Sequence, residues 1–245
     1  MKNGNHNNSN SLNLVYGRIP SLNCLSNNKI KNIYLQKGFS ESNILNVIRK
    51  TGISPKYIEL EALNRMSNGG NHQGIIVEVK PYDYCTVDEI IESSREKQPL
   101  ILILDEIEDP QNFGAILRSA DAFGVDGVII KSRNQVPLNW TVAKVSTGAI
   151  EYVKVAQVSN LNNVINQLKD AGFWIYAADG NSEKTYEKVD YSGKVALIVG
   201  SEGRGISQLV MKNSDFIIKI PMYGHVNSLN VSVSTGILLS RIRNK

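Results

Sequence analysis

Two cysteines and three histidines among 245 residues leave little material for metal chemistry or a disulfide framework. Cys24 and Cys85 are too few and too far apart for a structural zinc site, and no two histidines or cysteines stand at ligand spacing, so no metal is expected. Two thiols in a chain of this size fit a reducing cytosol, where both read as packing or surface residues. Long apolar runs are missing too: none approaches a membrane span, so no membrane partner is expected. The opening residues, 1–14, are Asn-rich and polar and lack the apolar centre of a signal peptide; they are expected as a disordered tail of a cytoplasmic protein. Strong charge of one sign is absent, with 27 basic against 23 acidic residues and a net charge of +4, which permits a nucleic-acid partner without demanding one. Nucleotide fingerprints are absent as well. Gly200-Ser201-Glu202-Gly203 has the wrong glycine spacing for a dinucleotide turn and lacks the Lys-Ser/Thr pair of a P-loop. His72 and His225 stand near no serine or cysteine nucleophile pattern, which leaves a hydrolase triad without support.

What is present is an alternation of short strands and helices. Ile33–Leu35, Lys56–Ile58 and Ile75–Val79 read as strands, with helices over Ser42–Lys50 and Leu60–Met66. Together they predict a small α/β domain over residues 15–79, and Pro81 marks a linker at 80–85. Thr86-Val87-Asp88-Glu89 has the spacing of a capping box and opens the next domain, 86–245. Leu100–Leu104 is a continuous apolar run that fits a strand covered on both faces. Helical periodicity runs from Phe113 to Phe123, followed by strands at Val128–Ile130, Tyr152–Val155, Phe173–Ala177 and Val195–Val199. Helices are expected at Thr141–Thr147, Leu161–Ala171 and Val231–Arg241. This alternation predicts a mostly parallel sheet with helices on both faces, and such sheets bind ligands beyond the carboxyl ends of their strands.

Three polar clusters each follow a predicted strand: Asn112-x-Gly114-x-x-x-Arg118, Gly200-x-Glu202-x-x-Gly205, and Ser228-Leu229-Asn230 with Ser232. Taken singly, each has an ordinary reading. Asn112 can cap the helix after it, Arg118 can be a solvated surface residue, and Ser228 and Asn230 can cap the last helix.

Taken together, Asp109–Arg118, Ile198–Gly205 and Ile220–Met222 through Ser228–Ser232 resemble the three motifs of the SpoU (TrmH) family of RNA ribose 2'-O-methyltransferases, of the SPOUT superfamily. The likeness is greatest to the subgroup that methylates a guanosine of bacterial 23S ribosomal RNA. Gly17-Arg18 and Asn71-His72-Gln73-Gly74 resemble the substrate-binding domain of that subgroup, although Ile19-Pro20-Ser21-Leu22 departs from its usual helix-forming opening. The resemblance implies a small RNA-binding domain similar to ribosomal protein L30e, then a SPOUT domain with a deep trefoil knot, paired as a homodimer. It implies S-adenosylmethionine as cofactor, held by Thr147, Gly148, Gly200, Ile220, Met222 and Leu229, with Gly200 admitting the cofactor to the main chain. Arg118, Asn112, Glu202, Ser228 and Asn230 would form the catalytic set, and Arg18 and Arg204 would contact RNA. The family assigns Arg118 the 2'-hydroxyl proton; a guanidinium, with a pKa above about 12, is equally suited to gripping a phosphate and stabilising an alkoxide. A tRNA substrate, or a catalytically silent RNA-binding assembly factor, would use the same residues.

Overall fold

The computed structural model describes residues 13–26, 29–94 and 98–244, so most of the expected tail, 1–12, lies outside the described residues. The chain divides into two compact units, one ending at Tyr82 and including Leu138–Trp140, the other formed by Asp83–Pro137 and the residues from Thr141 onward. Among the described residues no helix is long and apolar enough to cross a membrane.

The first unit runs β1 (Leu14–Tyr16), α1 (Arg18–Cys24), β2 (Ile30–Gln36), α2 (Ser42–Thr51), β3 (Lys56–Ile58), α3 (Leu60–Met66) and β4 (Ile75–Val79). Its sheet has the order β1-β4-β2-β3, with β4 antiparallel to both neighbours and β3 parallel to β2. Leu14, expected in the tail, opens β1 by pairing with Glu78. Alternate residues of β2 and β4 bury Ile33, Leu35, Ile75 and Val77 beneath Ile44 and Ile48 of α2. Cys24 belongs to the same core; burial pushes its thiol up to about 12, which makes it a packing residue. The segment 18–24 is helical despite Pro20, because proline in a first turn removes an amide that has no intrahelical acceptor. The orphan Arg18 amide is satisfied instead by Gln73 Oε1 at 2.8 Å.

The second unit contains α4 (Val87–Glu92), β5 (Leu100–Asp105), α5 (Pro110–Ala122), β6 (Gly127–Lys131), α6 (Trp140–Val145), β7 (Val155–Val158), α7 (Leu161–Asp170), β8 (Phe173–Ala178), β9 (Lys194–Gly200), α8 (Gln208–Lys212), β10 (Phe216–Ile218) and α9 (Val231–Arg243). Its six strands lie in the order β10-β8-β9-β5-β6-β7, all parallel. Both faces are covered, so β5 is buried along its whole length. Ile101 and Ile103 share a cluster with Ile90, Ile165, Leu168 and Val210 of α4, α7 and α8. The predicted capping box closes at both ends: Glu89 N donates to Thr86 Oγ1 and Thr86 N to Glu89 Oε2.

One expected element shifts. The strand expected at Tyr152–Val155 lies at Val155–Val158, because a 3₁₀ turn over Ala149–Glu151 engages the amides that follow, Val153 N reaching Ala149 O at 3.0 Å. On α9, Leu238 and Leu239 are buried and Val233 is half-exposed.

Gly114 marks the tightest approach on α5, where an added Cβ would sit 2.5 Å from Val145 Cβ and 3.0 Å from Val142 O. Gly114→Ala is expected to destabilise by about 1–3 kcal/mol through overpacking in denaturant titration, and adding Val145→Ala to recover little of it, because alanine keeps the Cβ that the new methyl meets.

Candidate active site

Asn112, Glu202 and Asn230 converge, although each comes from a different segment. Asp109 caps α5 by accepting from Gln111 N at 2.9 Å, with Pro110 in the first turn. Asn112 is therefore inside the helix and not its cap, and its carboxamide is free for long-range contact. Asn112 Nδ2 donates to Glu202 Oε1 at 3.2 Å, and Asn112 Oδ1 accepts from Asn230 Nδ2 at 2.8 Å. Asn230 Nδ2 also donates to Glu202 Oε1 at 2.6 Å, and the Val231 amide reaches the same oxygen at 3.3 Å. Asn230 spends its other end on α9, accepting from Ser232 N and Val233 N as the helix N-cap. One carboxylate oxygen thus receives two carboxamides and a helix-end amide, the arrangement that favours negative charge at a helix N-terminus.

Glu202 is delivered by the loop after β9. Gly200 pairs with Asp105 across the β5–β9 ladder, and Gly205 N donates back to Ser201 O at 2.9 Å. A Cβ at Gly200 would stand 2.2 Å from the Gly205 carbonyl carbon, so the missing side chain serves the loop's own closure. That differs from the expectation that Gly200 is small in order to admit a cofactor. The two strand ends that deliver β9 and β10 are also not adjacent, since β8 lies between them.

Arg118 and Ser228 are exposed and outside this network. Among the described residues Arg118 pairs with no carboxylate, and Glu202 is spent on the two asparagines. Thr147 and Gly148 form an exposed turn with φ of 49° and 97°. Ile220, Met222 and Leu229 are half-buried on a stretch without regular structure. Among the described residues no hydrogen bond engages the backbone amides from 220 to 229. Apolar side chains beside unengaged amides are what an adenosyl group requires, so the residues present fit such a ligand.

Arg204 sits over Glu106 at 3.5 Å, and Lys131 reaches Glu106 at 2.7 Å. The Lys131 hydrogen bond holds the Glu106 carboxyl below its ordinary range, so its stabilising effect is present above about pH 4.5 and fades as the pH falls through the lowered value. Sequence reading passed over Asp105, Glu106 and Lys131; the only available signal was that each ends an apolar strand or starts the loop beyond it. In the first unit Arg18 pairs with Glu41 at 3.0 Å. His72 is a loop pin there, its Nδ1 accepting from Gly74 N and its Nε2 facing Asn64 Oδ1, both at 3.0 Å.

A family model described as the SpoU rRNA Methylase family matches residues 99–240, and one described as RNA 2'-O ribose methyltransferase substrate binding matches residues 14–85. The chain is 41% identical over 204 residues to the protein YacO of Bacillus subtilis (strain 168), 82% of each chain, whose name assigns it to TrmH family tRNA/rRNA methyltransferases. Its fold is similar to that of the SpoU methyltransferase AviRb from Streptomyces viridochromogenes in complex with AdoMet, with a TM-score of 0.67, 21% identity, and coverage of 98% of this chain and 93% of that one. It is also similar to the A. aeolicus TrmH/SpoU tRNA modifying enzyme, with a TM-score of 0.56, 32% identity, and coverage of 64% of this chain and 79% of that one.

Asn230→Asp keeps the helix cap but turns the amide now 2.6 Å from Glu202 into a second carboxylate. The variant is expected to lose stability at pH 7.5 and to regain it toward pH 5, because like charges raise the pKa of one partner. Thermal melts across that range read this directly.

Proposed function

The chain belongs to the SpoU rRNA methylase family, and on that premise we propose that it transfers a methyl group from S-adenosylmethionine to the ribose 2'-hydroxyl of a guanosine in 23S ribosomal RNA. The observation that carries this reading is the meeting of Asn112, Glu202 and Asn230 beside the apolar, amide-rich stretch 220–229. The cofactor, when bound, supplies an activated methyl on a sulfonium sulfur. Ile220, Met222 and Leu229 would form the apolar walls for its adenosyl part, and the amides between them would bond the base. Thr147, Gly148 and Gly200 would complete the residues that hold it.

Arg118 acts on the acceptor. Because a guanidinium seldom loses its proton, it pairs with the phosphate next to the target ribose and stabilises the oxygen as the hydroxyl gives up its proton. Asn112 and Asn230, fixed by Glu202, hold α5 and the start of α9 in register, so that Arg118 and Ser228 face one nucleotide. The methyl would pass from the sulfonium sulfur to the ribose oxygen, leaving a thioether, and the hydroxyl proton would leave to solvent.

RNA presents such a hydroxyl in a loop or bulge, where the base can be splayed out. Arg204 at the loop after β9, and Arg18 beside the 71–74 turn, are the backbone contacts of this reading. The tRNA modifying neighbour covers 64% of this chain, whereas a substrate-binding model matches the further segment 14–85; that extra segment supports ribosomal RNA over tRNA. The deep trefoil knot belongs to this reading, with the loop after β9 and the stretch 220–232 as its two halves. Two chains pair through α9, where Val233 is 50% exposed. A monomer in sedimentation at micromolar concentration would contradict that pairing.

Incubation with methyl-labelled cofactor and separate ribosomal RNA and tRNA pools is expected to label large-subunit RNA at a 2'-oxygen; label in tRNA alone would assign the other substrate. No label in either pool, with cofactor bound, would leave an RNA-binding assembly role. Arg118→Ala is expected to cut transfer by about a hundredfold or more while cofactor affinity changes little.

A further inference from the structure

Among the described residues Asp105 is the most buried charged side chain of the second unit, and the polar network around Glu202 does not include it. The carboxylate is 1% exposed at the end of β5. Its Oδ2 accepts from Ser207 N at 2.8 Å. Its Oδ1 has no hydrogen-bond partner, and Lys131 Nζ stands 3.5 Å away. Burying a carboxylate on one amide and one distant ammonium is costly unless the position it fixes is needed.

What it fixes is a loop held at both ends by one residue. In the β5–β9 ladder Asp105 pairs with Gly200, the last residue before the loop. Its side chain holds Ser207, the first residue after the loop and the residue before α8. Between those two points lie Glu202, which gathers Asn112 and Asn230, and Arg204, which the neighbouring Glu106 grips. Lys131, at the end of β6, ties both carboxylates together.

We propose that Asp105 is a positioning residue for methyl transfer: it clamps residues 200–207 at both ends so that Glu202 arrives where it can hold Asn112 and Asn230. This rests on the methyltransferase reading above. Asp105 touches neither cofactor nor RNA and acts only through the loop. A neutral acceptor would serve Ser207 equally well; the charge adds the hold on Lys131, and through it on Glu106.

Three variants separate these parts. Asp105→Ala removes the clamp. Ser207→Pro removes the donor, and its ring carbon, which takes the place of the amide hydrogen, also displaces the Asp105 carboxylate; the φ of −60° at Ser207 suits the ring itself. Asp105→Asn retains an acceptor for Ser207 and loses the charge. Asp105→Ala and Ser207→Pro are each expected to lower kcat about tenfold at saturating RNA and cofactor, with KM for RNA changed less than about twofold. The double variant should be no slower than either single one, because both break the same bond. Asp105→Asn should retain most of kcat. Amide exchange at 201–207 should quicken in the first two variants and not in the third, a readout that does not depend on activity.

Asp105→Ala or Ser207→Pro that folds with kcat within twofold of the parent would overturn the proposal, as would additive losses in the double variant or unchanged exchange in the loop. If Asp105→Ala does not fold, Ser207→Pro and Asp105→Asn decide the matter. A parent protein that methylates no RNA would refute the underlying reading and not the clamp, which the exchange experiment would still test.

Discussion

Everything at this site depends on one carboxylate oxygen. Glu202 Oε1 receives Asn112 of α5, Asn230 before α9 and the first amide of α9. The donors lie 90, 28 and 29 residues from it in sequence. No local propensity brings such groups together; the parallel sheet does. β5 and β9 are neighbours, so the loop after β9 opens beside the start of α5, and α9 packs on α5 from the same side of the sheet. Asn230 is used twice, capping α9 with its oxygen and reaching Glu202 with its nitrogen, so the last helix and the site are set by one side chain.

The division of labour follows from what is held and what is left free. Asn112, Glu202 and Asn230 are mutually satisfied, which suits them to fixing geometry. Arg118 and Ser228 are exposed and uncommitted, and the amides of 220–229 are unengaged, which suits them to ligands. Rigid groups thus surround a set of open donors, the arrangement that lowers the ordering cost when RNA and cofactor are bound together. In the first unit the same economy appears: Gln73 caps α1 while His72 pins the turn that carries Gln73.

Much of the fold was legible in the sequence because its signals are local. The Leu100–Leu104 run, the Thr86–Glu89 box and the periodicity of α7 each specify their own element. The site residues could be named from their motifs, but not their partners. Asn112 reads as a cap until Asp109 and Pro110 are seen to have taken that place. Gly200 reads as room for a ligand until its hypothetical Cβ is found against Gly205. Asp105 was invisible, since its meaning depends on which strand lies beside β5 and on where the loop of that strand turns back. β1 and α8 were passed over: β1 is three residues at the edge of the Asn-rich opening, and the five residues of α8 carry too little periodicity.

The proposed cofactor site draws on three separated segments, at 147–148, 200–205 and 219–231, the last two joined by the Glu202–Asn230 hydrogen bond. Amide exchange of the full chain with and without S-adenosylhomocysteine measures it most directly. Protection confined to residues near 147–148, 200–205 and 219–231 is the predicted result. Protection that leaves 219–231 unchanged and falls elsewhere in the sheet, such as on the 183–190 segment, would contradict it.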